Sequence, residues 1–251
     1  MLDLLQFYEI GFIPHPHESE NEFCERVRKT KFFLSKKEDF LKKHRYEPKK
    51  IAPFAFEGIE SSPFFYITQK KKPPFWIFAI THIIEEDGVF IPFLELREKK
   101  LFFAPSFEEV IAHEKIHMMR SHFNEPKFEE IIAYQTSPYA FRRYFGPLFQ
   151  NIYESYVLLF LSLLMPMMNF FSADFAIYFS SLPIFYFSFL FVRLAIFQAI
   201  FKKAKTEISK KYRNAKEIMT FLMDKEIIAI AKRKNISSLD LRWRIIETFK
   251  K

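Results

Sequence analysis

His113, Glu114 and His117 stand in the order His-Glu-Lys-Ile-His, an HExxH pattern. On an α-helix, residues i and i+4 share one face, so the two imidazoles point the same way and their nitrogens can meet on one zinc ion. Glu114 sits beside them, placed to take a proton from a water on that ion. A catalytic zinc also needs a third protein ligand and an open position for water.

The elements that must hold these groups are readable around them. Ser106, with Glu109 three residues on, has the form of a capping box, so the spacing predicts a helix from near Phe107. Ala112, Ile116, Met119 and Phe123 form a separate apolar stripe about 100° from the histidines, suited to packing this helix down. Asn124–Lys127 is a helix-breaking turn, and a second helix is predicted from near Phe128. Upstream, PFFYITQ, FWIFAITHII and VFIPFLELR are β-branched and aromatic runs that read as strands; KKKPP separates the first two, and EEDG makes a hairpin turn of the second pair. The middle strand is apolar on both faces and is expected to be covered on both, while Pro92 suits an edge or a bulge. Residues 18–45 read as an amphipathic helix or helix pair with one face packed. His15 and His17, in a proline-rich arm, are expected to be exposed side chains.

In the order strand, hairpin, HExxH helix and ExxA helix (Glu130 to Ala133), residues 75–140 resemble a gluzincin-type zinc metallopeptidase of the thermolysin-like clan, including its membrane-bound branches. The resemblance implies that His113 and His117 are zinc ligands, that Glu130 is the third, and that Glu114 is the general base. It also implies that the strand around Phe75–Ile84 is the edge that pairs with an extended peptide or protein substrate. The pattern departs at Tyr134, where the clan often carries an acidic residue that orients a zinc-binding His. Glu129 and Glu125 therefore stay open as third ligands. The chemistry that follows is metal-assisted hydrolysis of a peptide bond, with Zn2+ as the cofactor. Its tetrahedral oxyanion needs a donor, for which Tyr134, Tyr139 and His82 are candidates, with His122 and Arg142 beside them.

Composition narrows the rest. The chain has 251 residues, with 35 Phe, 4 Gly and a single Cys, Cys24. So few glycines argue against a dinucleotide-binding or P-loop enzyme, and one Cys excludes a disulfide framework or a Cys-rich zinc module. A formal net charge of +8 and a mean hydropathy near zero hide a strong asymmetry. Residues 202–251 hold 15 Lys+Arg against 6 Asp+Glu, and directly before them Tyr156–Phe201 carries only Asp174 and Arg193 as formal charges. That apolar run, broken at Asn169–Asp174 and kinked by Pro166 and Pro183, reads as a transmembrane helical hairpin. Arg142 and Arg143 precede it, Lys202, Lys203 and Lys205 follow it, and the turn has no Lys or Arg, so two spans with both termini cytoplasmic are expected. Arg193 is expected to snorkel. Met1–Ile13 has no basic start of a cleaved signal. The basic stretch is expected to meet membrane lipid, and it lacks the aromatic interleaving of a nucleic-acid binder. Trp243, on a short amphipathic helix, is expected to pack.

The fold expected is α+β: an N-terminal helical arm (1–50), a zincin-like catalytic domain (51–150) with a small antiparallel sheet and a helix pair, a membrane hairpin (151–201) and a basic helical tail (202–251). A non-catalytic membrane protein whose HExxH is accidental, and a soluble metal hydrolase with a buried hairpin, are the competing readings.

Overall fold

The arm divides into α1 (Leu2–Glu9), α2 (Glu20–Ser35) and α3 (Lys37–Lys43). A reciprocal capping box starts α2: Ser19 Oγ accepts from the Glu22 N–H, and the Glu22 carboxylate accepts from the Ser19 N–H. Four strands follow: β1 (Pro48–Pro53), β2 (Phe65–Gln69), β3 (Ala79–Glu86) and β4 (Val89–Leu96). The remainder is helical: α4 (Phe107–Arg120), α5 (Pro126–Tyr134), α6 (Ala140–Phe145), α7 (Ile152–Asn169), α8 (Ala173–Lys211), α9 (Ala215–Ile218), α10 (Asp224–Ala231) and α11 (Leu241–Glu247). This computed structural model describes residues 2–9, 11–53, 64–69, 78–97, 105–123, 125–169, 173–234 and 240–251. The KKKPP break and residues 75–77 lie outside them.

The α+β class holds, but the sheet is mixed and not antiparallel. Its order is β1-β2-β4-β3, and β2 runs parallel to β4 while the other pairs are antiparallel. Burial explains the order. Every residue of β4 except Phe90 is buried, so this strand takes a neighbour on each side. β3, expected to be covered on both faces, is only half-buried with exposed positions and lies at the sheet edge. Pro92 therefore sits in an interior strand, opposite Ile83. The β2 ladder reaches only Leu94 and Glu95, so the N–H that Pro92 lacks is not needed on that side. The EEDG turn forms as its residues require: Asp87 and Gly88 both have positive φ, 49° and 72°, as in a two-residue type I′ hairpin. β1 has no alternating pattern to announce it, since its six residues are PKKIAP.

Strand alternation divides the core between the two faces of the sheet. On one face Phe65, Ile67, Ile91 and Phe93 pack on Phe40 and Leu41 of α3. On the other, Leu94 and Leu96 meet Met118 and Met119 of α4, Phe123 just after it, and Phe128 and Ile131 of α5. That second cluster also takes in Phe23 and Val27 of the arm and Ile218, Phe221, Ile227 and Ile245 of the tail. Charge and burial coexist in the tail because its cations face water while its apolar residues face α4, α5 and α8. Arg242 is the exception, fully buried among Asp240, Glu226 and the Phe221 carbonyl. Trp243 packs as expected and donates its indole N–H to Glu226 at 3.0 Å.

One described helix, through Ser181–Lys211, is long and apolar enough to cross a membrane. Its apolar side chains are largely uncovered: Ile184, Phe185, Phe189 and Val192 are all exposed. α7, with 18 residues, packs against α8 but passes that test only together with Ala140–Leu148, across a bend of 75°. The turn between α7 and α8, residues 170–172, lies outside the described residues. Arg193 does not snorkel. Its guanidinium donates to both carboxylate oxygens of Glu154 on α7, at 2.5 and 2.8 Å, and to the Leu148 carbonyl at 3.1 Å. A bidentate pair satisfies the charge within the protein, so the side chain has no need to reach for water.

Candidate metal centre

α4 begins where the sequence predicts it, but the box is only half made. Ser106 Oγ accepts from the Glu109 N–H at 3.2 Å, while the Glu109 carboxylate turns away to accept from Ser137 Oγ and to pair with Arg142. Pro126 at the first turn starts α5, and α4 and α5 pack against each other. This brings His113, His117 and Glu130 into one group whose ligand atoms all lie within 4.8 Å of one another. The two Nε2 atoms are 3.1 Å apart, and the Glu130 oxygens lie 3.5 Å from His113 Nε2 and 3.4 Å from His117 Nε2.

Glu129, one residue away, does something else. Its Oε1 lies 3.1 Å from His117 Nδ1, on the side of the ring away from Glu130. Its Oε2 accepts from Arg120 Nε at 2.6 Å. Burial raises the Glu129 pKa, but His117 and Arg120 outweigh it and hold the carboxyl below its usual range. Arg120 is itself buried and donates to the carbonyls of Thr220 and Leu222, at 2.7 and 3.0 Å. The chain from tail to Arg120 to Glu129 to His117 thus fixes the imidazole from behind, the carboxylate–histidine arrangement that orients metal ligands. The third rival, Glu125, is committed elsewhere, accepting from the Asp224 N–H at 2.6 Å.

Burial lowers the His117 pKa, yet the hydrogen bond its ring donates to Glu129 and the charges of Glu130, Glu129 and Glu114 push it up to about 9. Three carboxylates around two imidazoles make a pocket that favours a cation. Two nitrogens and one carboxylate are also the donor set of a hydrolytic zinc site with an open position, so these residues fit zinc. Replacing Glu129 with Ala is expected to weaken metal affinity about 10–100-fold without removing a ligand. Competition against a chromophoric chelator measures it, and affinity equal to wild type would rule out the orienting role.

His113 of the group and Glu114 beside it face a cleft of about 480 Å³, lined also by Phe78, Ala79 and Ile80 of the β3 region and by Tyr134 and Arg142. Thr81 of β3 donates to Glu114 Oε2 at 2.5 Å, fastening the strand edge to the carboxylate. The Tyr134 ring stands edge-on to His113 with centroids 4.4 Å apart, and the Arg142 guanidinium lies 6.0 Å from that ring. Burial raises the Tyr134 hydroxyl pKa, with the Glu130 charge adding to it. Gly146 backs the ring, where any Cβ would collide with it.

Tyr134 and Arg142 thus reach the cleft, but the other oxyanion candidates do not. His82 follows Thr81 and so faces the opposite side of the sheet, where it bonds Glu95 at 2.9 Å and Tyr46 at 3.2 Å. Tyr139 is 64% exposed at the start of α6 and is not among the cleft's lining residues. His122 lies beyond the end of α4, its ring stacked on His15 at 3.7 Å. That stack also corrects the expectation for His15, which is half-buried with its pKa lowered by burial to about 4. His17 is exposed as expected.

Sequence reasoning passed over Thr81, Glu129's orienting position and Arg120. For Arg120 a signal existed: residues 113, 117 and 120 are spaced i, i+4, i+7 and share one stripe of α4. No protein-family model, no curated protein and no solved structure matches this chain.

Proposed function

We propose that this chain is a membrane-anchored zinc metallopeptidase of gluzincin-like design, hydrolysing peptide bonds with Glu114 as general base. The observation that carries the reading is the convergence of His113, His117 and Glu130 in one group, with His113 and its neighbour Glu114 on the wall of a cleft. His113, His117 and Glu130 would hold the ion. When bound, zinc supplies Lewis acidity toward a peptide carbonyl and toward water. Glu114 takes the proton from the attacking water as the new C–O bond forms, and returns it to the amine nitrogen as the C–N bond breaks. Thr81 holds one Glu114 oxygen, which leaves the other for the proton. Tyr134 and Arg142 are the cleft's donors toward the oxyanion. The open edge of β3, with Phe78–Ile80 on the cleft wall, suits an extended peptide that adds as a further strand.

The membrane part of the reading is a two-span hairpin of α7 and α8 with both termini cytoplasmic. It is supported by the packing of the two helices, the Arg193–Glu154 pair that joins them, and the basic residues flanking them at 142–143 and 202–205. Ile152, the first residue of α7, lines the cleft, so the catalytic groups and the hairpin are neighbours.

Metal analysis of the purified 251-residue chain tests the proposal. About one zinc per chain is expected, lost in His113→Ala and in His117→Ala. Protein that stays zinc-free after zinc is added back would overturn the peptidase reading and favour a non-catalytic membrane protein.

A further inference from the structure

A second concave surface lies where α6 meets α8. It is a groove of about 430 Å³, within the range of roughly 300–1,000 Å³ that suits small ligands, and is walled by Phe141, Tyr144, Phe145, Phe191 and Ala195. The aromatic rings on it are uncovered, Phe141 being 71% exposed. The groove is preformed: Gln198 of α8 donates to the carbonyls of Arg143 and Tyr144, at 3.0 and 3.3 Å, and so ties α6 down as its second wall. Along α8 the lining runs from Phe191 to Lys202, a rise of roughly 16 Å.

The charged end differs from the apolar end in a specific way. Lys202 lines the groove, and Lys205, one turn further along α8, continues the same stripe of the helix. Among the described residues, neither lysine has a carboxylate partner in an ion pair. Clustered cations without anions are held apart by solvent unless an anion sits among them. An apolar trough ending in such a cluster matches one molecule with an acyl chain and a phosphate.

We infer that the α6/α8 corner binds one anionic phospholipid, its acyl chain along Phe141, Phe145 and Phe191 and its phosphate at Lys202 and Lys205. The source is the bilayer itself, because the groove lies on the flank of the one described helix long enough to span it, where that helix's apolar run gives way to lysines. The inference goes beyond the peptidase reading and does not depend on zinc; it requires only that α8 lie in a membrane.

Native mass spectrometry of the detergent-purified chain, offered equal amounts of dioleoyl phosphatidylglycerol and dioleoyl phosphatidylcholine, tests it. One retained phosphatidylglycerol per chain is expected, favoured about tenfold or more over phosphatidylcholine. Ala195→Trp with Ala199→Trp, at two exposed positions of the groove, should abolish that retention. Lys202→Glu with Lys205→Glu should remove the headgroup preference. Millimolar inorganic phosphate should not displace the lipid. Equal retention of both lipids by wild type, unchanged retention in the tryptophan pair, or displacement by phosphate alone would each overturn the inference. The lipid comparison on wild type needs no variant to fold.

Discussion

Glu114→Gln is expected to keep the metal and lose peptide cleavage. The two side chains have nearly the same shape, and the amide oxygen can still accept the Thr81 hydroxyl that reaches Glu114 Oε2 at 2.5 Å. What the amide cannot do is accept a proton from water and hand it to the leaving amine. A positioned general base contributes about 10²–10⁴ in rate, and the loss in kcat/KM on a quenched fluorescent peptide should be of that size. Zinc content measured on the same preparation separates this outcome from failure of the site, since Glu114 lies outside the ligand group. A variant that cleaves like wild type would remove Glu114 from the chemistry. A variant that loses its zinc would move it into the metal's coordination.

Arg120→Met should cost about 3–5 kcal/mol of stability, the range seen when one partner of a buried ion pair is removed. Three groups lose their donor at once: the Glu129 carboxylate and the Thr220 and Leu222 carbonyls. Methionine fills much of the arginine stem's volume, so the cost falls on unsatisfied polar groups more than on a cavity. Thermal unfolding of the detergent-solubilised protein reads it, as a fall in Tm of roughly 10 °C. Arg120→Lys keeps the charge but lacks the fork that reaches Glu129 and the carbonyls together, and it should fall between. An unchanged Tm in Arg120→Met would mean that the tail is held to α4 and α5 by its apolar contacts alone.

Both expectations rest on residues that the sequence displays unequally. His113, Glu114 and His117 are legible because helical spacing alone puts the two imidazoles on one face. Glu130 is legible only by resemblance, and its neighbour Glu129 competes with it on equal terms until the packing of α5 on α4 turns one carboxylate to the Nε2 side and the other to the Nδ1 side. His82 and Thr81 differ by one residue, and so by one face of the sheet. Which face meets α4 depends on how the sheet docks, and the apolar run around them, FWIFAITHII, carries no alternation to reveal it. The order of the sheet was hidden for a similar reason: β1 has two lysines and two prolines in six residues and only one large apolar side chain, so nothing local marks it as a strand.

By itself, then, the sequence determined what is settled within a few residues or by composition: the helical register of HExxH, the Asp87–Gly88 hairpin turn, the cap at Ser106, and an apolar helix long enough to cross a bilayer. Hydrogen bonds and side-chain contacts between near neighbours fix such features, so no distant partner is needed. The tertiary structure alone decided which carboxylate faces the two Nε2 atoms, which strand lies at the open edge, that Arg193 answers Glu154 across 39 residues, and that Arg120 reaches Leu222 across 102. The first two depend on how whole elements dock, and the two arginine contacts pair polar groups far apart in the chain. Their partners were chosen when packing excluded water from one arrangement, a choice no local pattern encodes.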